Sequence, residues 1–253
     1  YRSRDTECRY RPDSELFYLT GCLEPRVVAV FGAGAAGGEG KETQEAFTLF
    51  VPERDPRVEL WSGPRMGPEE ARERFHAGAA FPLKELEARL PGLLKEPQKI
   101  YFRLGVHPDL DRMVVAALRE ARGRGPRKGT GPRAVADPGN ILDPLRMRKD
   151  SQELAAIRRA SELTITAFRE AMAGTREGVG EWEVESILEA AFRRGGGRGP
   201  AFPTIVGSGA NGCVLHYEAN QDVISAGSLV LLDGGAEMDL YAGDVTRTFP
   251  AFT

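Results

Sequence analysis

The apolar periodicity of this chain switches from helical to alternating near residue 200, and that switch narrows the possible folds more than any other feature. Asp150 followed by Glu153 has the spacing of a capping box, which opens a helix running to Met172 and ending at Gly174. A second helix begins at about Glu181, sets Val184, Ile187, Leu188 and Ala191 on one face, and stops at Gly195. Beyond it the period falls to two. Residues 204–206, 214–217, 228–233 and 240–249 read as strands of an antiparallel sheet with the two helices laid on it. This half of the chain is therefore expected to be α+β.

The first half follows another rhythm. Residues 27–31, 46–51 and 99–104 read as strands. Residues 68–74 open with Pro and Glu as a helix start does, and 111–122 carry Met113, Ala116, Ala117 and Glu120 at helical spacing. Strand, helix and strand in this order predict a small α/β domain. Repeated Gly and Pro over 122–140 break the pattern and place the division there, giving domains 1–140 and 141–253. Arg122, Arg124, Arg127, Lys128 and Arg133 fall in that stretch. They have no interleaved aromatics, and the chain has 34 basic against 37 acidic residues. They read as a solvated linker, not a nucleic-acid patch.

With 253 residues, 41% of them hydrophobic, the chain can bury two cores. No apolar run approaches the roughly 20 residues of a membrane-spanning helix, and the start YRSRDTECRY is unlike a secretion signal. Cys8, Cys22 and Cys213 are odd in number and lack CxxC spacing, so a reducing, cytoplasmic setting without disulfides is expected. Gly32, Gly34 and Gly37 match GxGxxG after a strand. Gly38, Glu39, Gly40 and Lys41 then stand where a dinucleotide site needs an apolar helix, so a hairpin loop between 27–31 and 46–51 explains the glycines better. A phosphate loop fails as well, because Ala35 stands at its first Gly and Glu42 at its Ser/Thr.

The residues that carry chemistry lie in SLVLLDGGAEMDLYAGDVTRTF, residues 228–249. If Met238 and Asp239 form a two-residue turn, Asp233 lies directly opposite Asp244, with Cβ atoms about 4.5–5.5 Å apart. Flanked by Leu231, Leu232 and Val245, such carboxylates either raise one pKa or recruit a cation. Oxygen donors suit Mn, Mg, Zn or Co, and a solvated hairpin with two acids is the plain alternative. Gly234 and Gly243, beside the acids, are expected to leave room for a close approach to the backbone. By strand parity His216 faces either this site or the core. Cys213 reads as a small packed residue.

TIVGSGANGCVLHYEAN (204–220) and LLDGGAEMDLYAGDVTRTFP (231–250) closely resemble the pita-bread metallopeptidases, the Xaa-Pro aminopeptidases (aminopeptidase P) above all. YRPDSELFYLTGCLEP (10–25) resembles the start of their N-terminal domain, and LRMRKDSQELAAIRRASELT (145–164) the entry to their catalytic domain. The resemblance implies an α+β chain: a small creatinase-like α/β domain, then the first half of a pita-bread domain. It implies two divalent metal ions, usually Mn with Zn or Co as alternatives, held by two Asp, one His and two Glu. Asp233 resembles the ligand of one metal and Asp244 the bridge between both. His216 resembles the non-ligand histidine that contacts substrate and helps stabilise the tetrahedral intermediate. The implied reaction is attack by metal-activated hydroxide on the bond before a proline at the second position. Trp61, in ELWSG, resembles an aromatic that closes a neighbouring subunit's active site in a homo-oligomer; a packing residue at a strand end is its plain alternative. The family's ligand His and both Glu follow the second Asp, yet no His follows His216 here, so only two of five ligands are present. The chain is thus expected to be part of a longer protein and inactive alone, acting on peptides and not on nucleic acid or membrane. An Xaa-Pro dipeptidase and a metal-free pita-bread module that binds peptides or proteins are the rivals.

Overall fold

The structure is a computed structural model that describes residues 4, 6, 8–32, 47–94, 97–123 and 131–251. The chain divides into two compact units, Tyr1–Leu145 and Arg146–Thr253. No helix among the described residues is long and apolar enough to cross a membrane.

The first unit alternates short helices and strands: α1 (Ser14–Thr20), β1 (Val28–Phe31), β2 (Phe47–Val51), α2 (Pro56–Ser62), α3 (Pro68–Arg74), β3 (Ala79–Pro82), α4 (Leu86–Leu93), β4 (Lys99–Tyr101), α5 (Pro108–Gly123), β5 (Ala134–Ala136) and α6 (Gly139–Met147), the last running into the second unit. Strand β2 is central, antiparallel to β1 and parallel to β3. Its alternation explains the two cores of this unit. Phe50 packs with Leu86, Leu90, Val114 and Leu118 of α4 and α5, while Leu49 and Val51 pack with Met66 and Ala71. Asp13 and Asp55 cap α1 and α2 through their side chains, and Pro56 and Pro68 preset the first turns of α2 and α3.

Two expectations for this unit are corrected. The strand expected over 99–104 ends at Tyr101, because the chain turns at Leu104 and Gly105, where φ is 93°. The linker expected over 122–140 is in part structured: β5 pairs in parallel with β4, and α6 starts at Gly139. Residues 124–130, with three of the five basic residues, lie outside the described residues, as does most of the glycine-rich loop. Strands β1 and β2 that flank this loop pair as a hairpin does, Phe31 opposite Phe47.

The second unit lays α7 (Ser151–Gly174) and α8 (Glu181–Arg194) on a three-stranded sheet of β6 (Ile205–Ser208), β7 (Leu229–Gly234) and β10 (Val245–Pro250), with β7 in the middle. A hairpin of β8 (Glu237–Met238) and β9 (Tyr241–Ala242) sits between β7 and β10 in sequence. Both neighbours of β7 run antiparallel to it. Phe168, Val184, Leu188 and Phe192 from the helices meet Val206, Val230, Leu232 and Phe249 from the sheet. The capping box at Asp150 is formed, and Glu153 also accepts a 2.7 Å hydrogen bond from the Tyr241 hydroxyl, tying the start of α7 to β9. Two further strand expectations are corrected. Residues 214–217 are a turn after a short 3-10 helix (Gly209–Cys213), and 240–249 break into β9 and β10.

Candidate metal and substrate site

Asp233 and Asp244 do not face each other directly. The hairpin turns at Asp239 and Leu240, whose φ values of 49° and 62° match the positive pair that a type I′ turn requires. Asp tolerates that conformation, and Arg159 holds Asp239 by a 2.7 Å ion pair. Leu240 is an unusual residue there, but its side chain is buried. Met238 therefore pairs with Tyr241, and Thr246 takes the place opposite Asp233. Asp244 precedes Thr246 by two residues and lies just before the first residue of β10, Val245, where the pairing with β7 ends. Period two puts Asp233 and Thr246 on one face. The Thr246 hydroxyl donates a 2.8 Å hydrogen bond to Asp233 Oδ1, which orients that carboxylate. Asp233 is half-buried and Asp244 exposed.

The glycines beside the acids admit protein atoms, not a ligand, which corrects the expectation. A Cβ on Gly243 would lie 2.5 Å from Thr164 Oγ1 and 2.7 Å from the Ala160 carbonyl oxygen of α7. One on Gly234 would strike Leu188 at 2.8 Å. These contacts press the hairpin onto the helices and fix where the acids emerge.

His216 is exposed on the turn after the 3-10 helix, not on a strand. The chain folds back there because Gly207 and Gly212 touch: a Cβ on Gly207 would come within 2.8 Å of the Gly212 amide nitrogen. Cys213 is also exposed, so the packed reading of it is corrected. The neighbours Val214 and Leu215 are exposed as well, Leu215 by 90%, so apolar packing does not place this turn. Hydrogen bonds to the edge of β6 and the start of α8 do. Asn220 is buried; its carboxamide accepts from the Val206 amide at 2.9 Å and donates to the Thr204 carbonyl at 2.8 Å, as a paired strand residue would.

Glu181, at the first position of α8, is fully buried and was missed from sequence, where it marked only a helix start. Its Oε1 accepts from the Ser208 amide (2.7 Å), the Ser208 hydroxyl (2.8 Å) and Asn211 Nδ2 (3.2 Å). Its Oε2 accepts from the Tyr217 hydroxyl (2.9 Å) and the Asp222 amide (3.0 Å). Burial on its own would raise this carboxyl, but the Ser208 and Asp222 amides, with Ser208 hydroxyl and Asn211, outweigh it and hold the pKa below the ordinary value. Tyr217 shifts upward, through desolvation and the adjacent Glu181 and Asp222 charges. Glu189, further along α8, also shifts upward, mainly by burial and then by the Glu185 charge.

Trp61 lies in the first unit on α2 and is 89% exposed beside exposed Leu60, so the strand-end packing alternative is corrected. As metal donors, Asp233 on β7 and Asp244 just before β10 offer hard carboxylate oxygens, the donor type that suits a divalent cation. Among the described residues no group of three or more His, Cys, Asp or Glu is placed to hold a metal, so the two aspartates are a partial set.

Comparison with known proteins finds matches to both units of the chain. Residues 155–253 match metallopeptidase family M24, and residues 1–101 match the N-terminal domain of aminopeptidase P. The Xaa-Pro aminopeptidase of Escherichia coli (strain K12) is 36% identical over 249 residues, which is 98% of this chain and 55% of that protein. The solved structure of Pseudomonas aeruginosa aminopeptidase PepP superposes with a TM-score of 0.90 at 38% identity, covering 98% of this chain and 55% of that one. Zinc-substituted Escherichia coli aminopeptidase P in complex with product gives a TM-score of 0.90 at 37% identity, covering 99% and 56%. The chain thus spans about half the length of the relatives it matches.

Proposed function

Because this chain belongs to metallopeptidase family M24 and carries the N-terminal domain of aminopeptidase P, we propose that the protein in its full length releases the first residue from peptides with proline second. The observation that carries this reading is the pair Asp233, on β7, and Asp244, just before β10, inside a match that runs through both units. The two aspartates would hold divalent ions, manganese on our reading, as two of five ligands; the other three, one His and two Glu, have no counterpart after Asp244 in these 253 residues. When bound, such ions lower the pKa of water and polarise the scissile carbonyl.

The chain's own residues supply orientation. Thr246 fixes one oxygen of Asp233 and so directs the other. The hairpin, clamped on α7 through Gly243, sets the spacing of the two carboxylates. His216, exposed on its turn, presents the imidazole to substrate and donates to the oxygen that gains charge as the peptide bond is attacked. Exposed Trp61 would contact substrate in a neighbouring subunit, so a homo-oligomer in a reducing, cytoplasmic setting belongs to the same reading.

An assay of the full-length protein with manganese separates the rivals. It should release the first residue from Xaa-Pro-Yaa tripeptides. Hydrolysis of Xaa-Pro dipeptides alone would mean a dipeptidase, and hydrolysis of neither would favour a binding module. His216→Ala should lower turnover by roughly 10²-fold or more, as loss of one oxyanion donor does elsewhere.

A further inference from the structure

Glu181 carries an inference that rests on the peptidase reading. Its carboxylate is fully buried, and burial of a charge is tolerated only where donors replace water. All five of its donors belong to residues that bracket His216: Ser208 and Asn211 before it, Tyr217 and Asp222 after it. The Glu181 amide donates in turn to the Asp222 carbonyl at 2.9 Å, so α8 grips the far end of the turn through side chain and backbone alike. Between these anchors Val214, Leu215 and His216 are exposed and gain no place from packing. Tyr217 is the nearest anchored residue, adjacent to the histidine, and its hydroxyl also accepts from Asn211 Nδ2 at 3.0 Å. We infer that Glu181 is a positioning residue: through the Tyr217 hydroxyl and the Ser208 and Asp222 amides it sets where His216 meets the substrate.

Glu181→Gln keeps the shape of the side chain but turns one acceptor oxygen into a donor that faces backbone or hydroxyl donors. Tyr217→Phe removes the Glu181 contact nearest His216 and leaves the ring. In the full-length protein each should lower kcat on Xaa-Pro-Yaa about tenfold, within the cost of misplacing a catalytic group. KM should change little, and metal content should stay as in wild type. In a His216→Ala background neither change should lower kcat further, because a positioning residue has nothing left to position.

An equal loss in that background would overturn the inference and leave Glu181 with a structural role. Unchanged kcat in Tyr217→Phe would overturn it too, and that variant decides the matter if Glu181→Gln does not fold. A wild type inactive on the tripeptide would remove the peptidase reading and the inference together, an outcome distinct from an active wild type with additive losses.

Discussion

Five donors converge on the Glu181 carboxylate, and their loss is readable in the pH dependence of stability. A carboxyl held below its ordinary value stabilises the fold above the unfolded pKa, near 4.5 for glutamate, and this contribution fades as pH falls through the folded value. Glu181→Gln should therefore cost about 1–3 kcal/mol at neutral pH, the penalty of a buried group left unpaired. The gap to wild type should narrow below about pH 4.5, as followed by thermal melts of the full-length protein. Glu189 has the opposite sign. Its raised pKa gives a contribution present below the unfolded value and lost as pH rises through the folded one. Melts of Glu189→Gln should show it gaining on wild type as pH rises, whereas Glu181→Gln falls behind.

At the scale of elements, caps decide what local sequence makes legible. Asp150 accepts from the Gln152 and Glu153 amides, both at 2.8 Å, and the Glu153 carboxylate accepts in turn from the Asp150 amide at 2.8 Å. Asp150→Ala should destabilise the protein by about 1 kcal/mol, measured by denaturant titration. Such local signals made α3, α7 and α8 readable to within a residue or so at each end. The short α1, α2 and α4 and the strands β3 and β5 went unread, since a few residues hold no period and their pairing partners are distant in sequence. The hairpin shows the same limit. Nothing local favours Asp239 and Leu240 as its turn; burial of Leu240 and the Arg159 ion pair do, and both are tertiary. The turn moved by one residue, so the partner of Asp233 moved by two, from Asp244 to Thr246. His216 was legible through resemblance to a known motif but not by strand parity, because the Gly207–Gly212 contact turns the chain before it. Glu181 gave no signal beyond an acid at a helix start, which the helix dipole already explains.

At the scale of the whole molecule, each unit is organised around a buried strand: β2 in the first, β7 in the second. The two edges of the second sheet differ. Side chains of Asn220 and Glu181 satisfy the outer amides of β6, whereas β10 pairs only with β7 among the described residues. An open edge of this kind is a template for further strand pairing. Asp233 lies on β7 and Asp244 just before β10, toward that edge of the sheet. On the proposed function, Asp233 and Asp244 hold divalent metal in the full-length protein. Metal content of the purified protein after equilibration with manganese tests it most directly. About two ions per chain are expected in wild type, as two-metal hydrolases hold. The same content is expected in His216→Ala, and loss in Asp244→Ala. A wild type without metal, or an Asp244→Ala protein with its full complement, would overturn the metal-site reading.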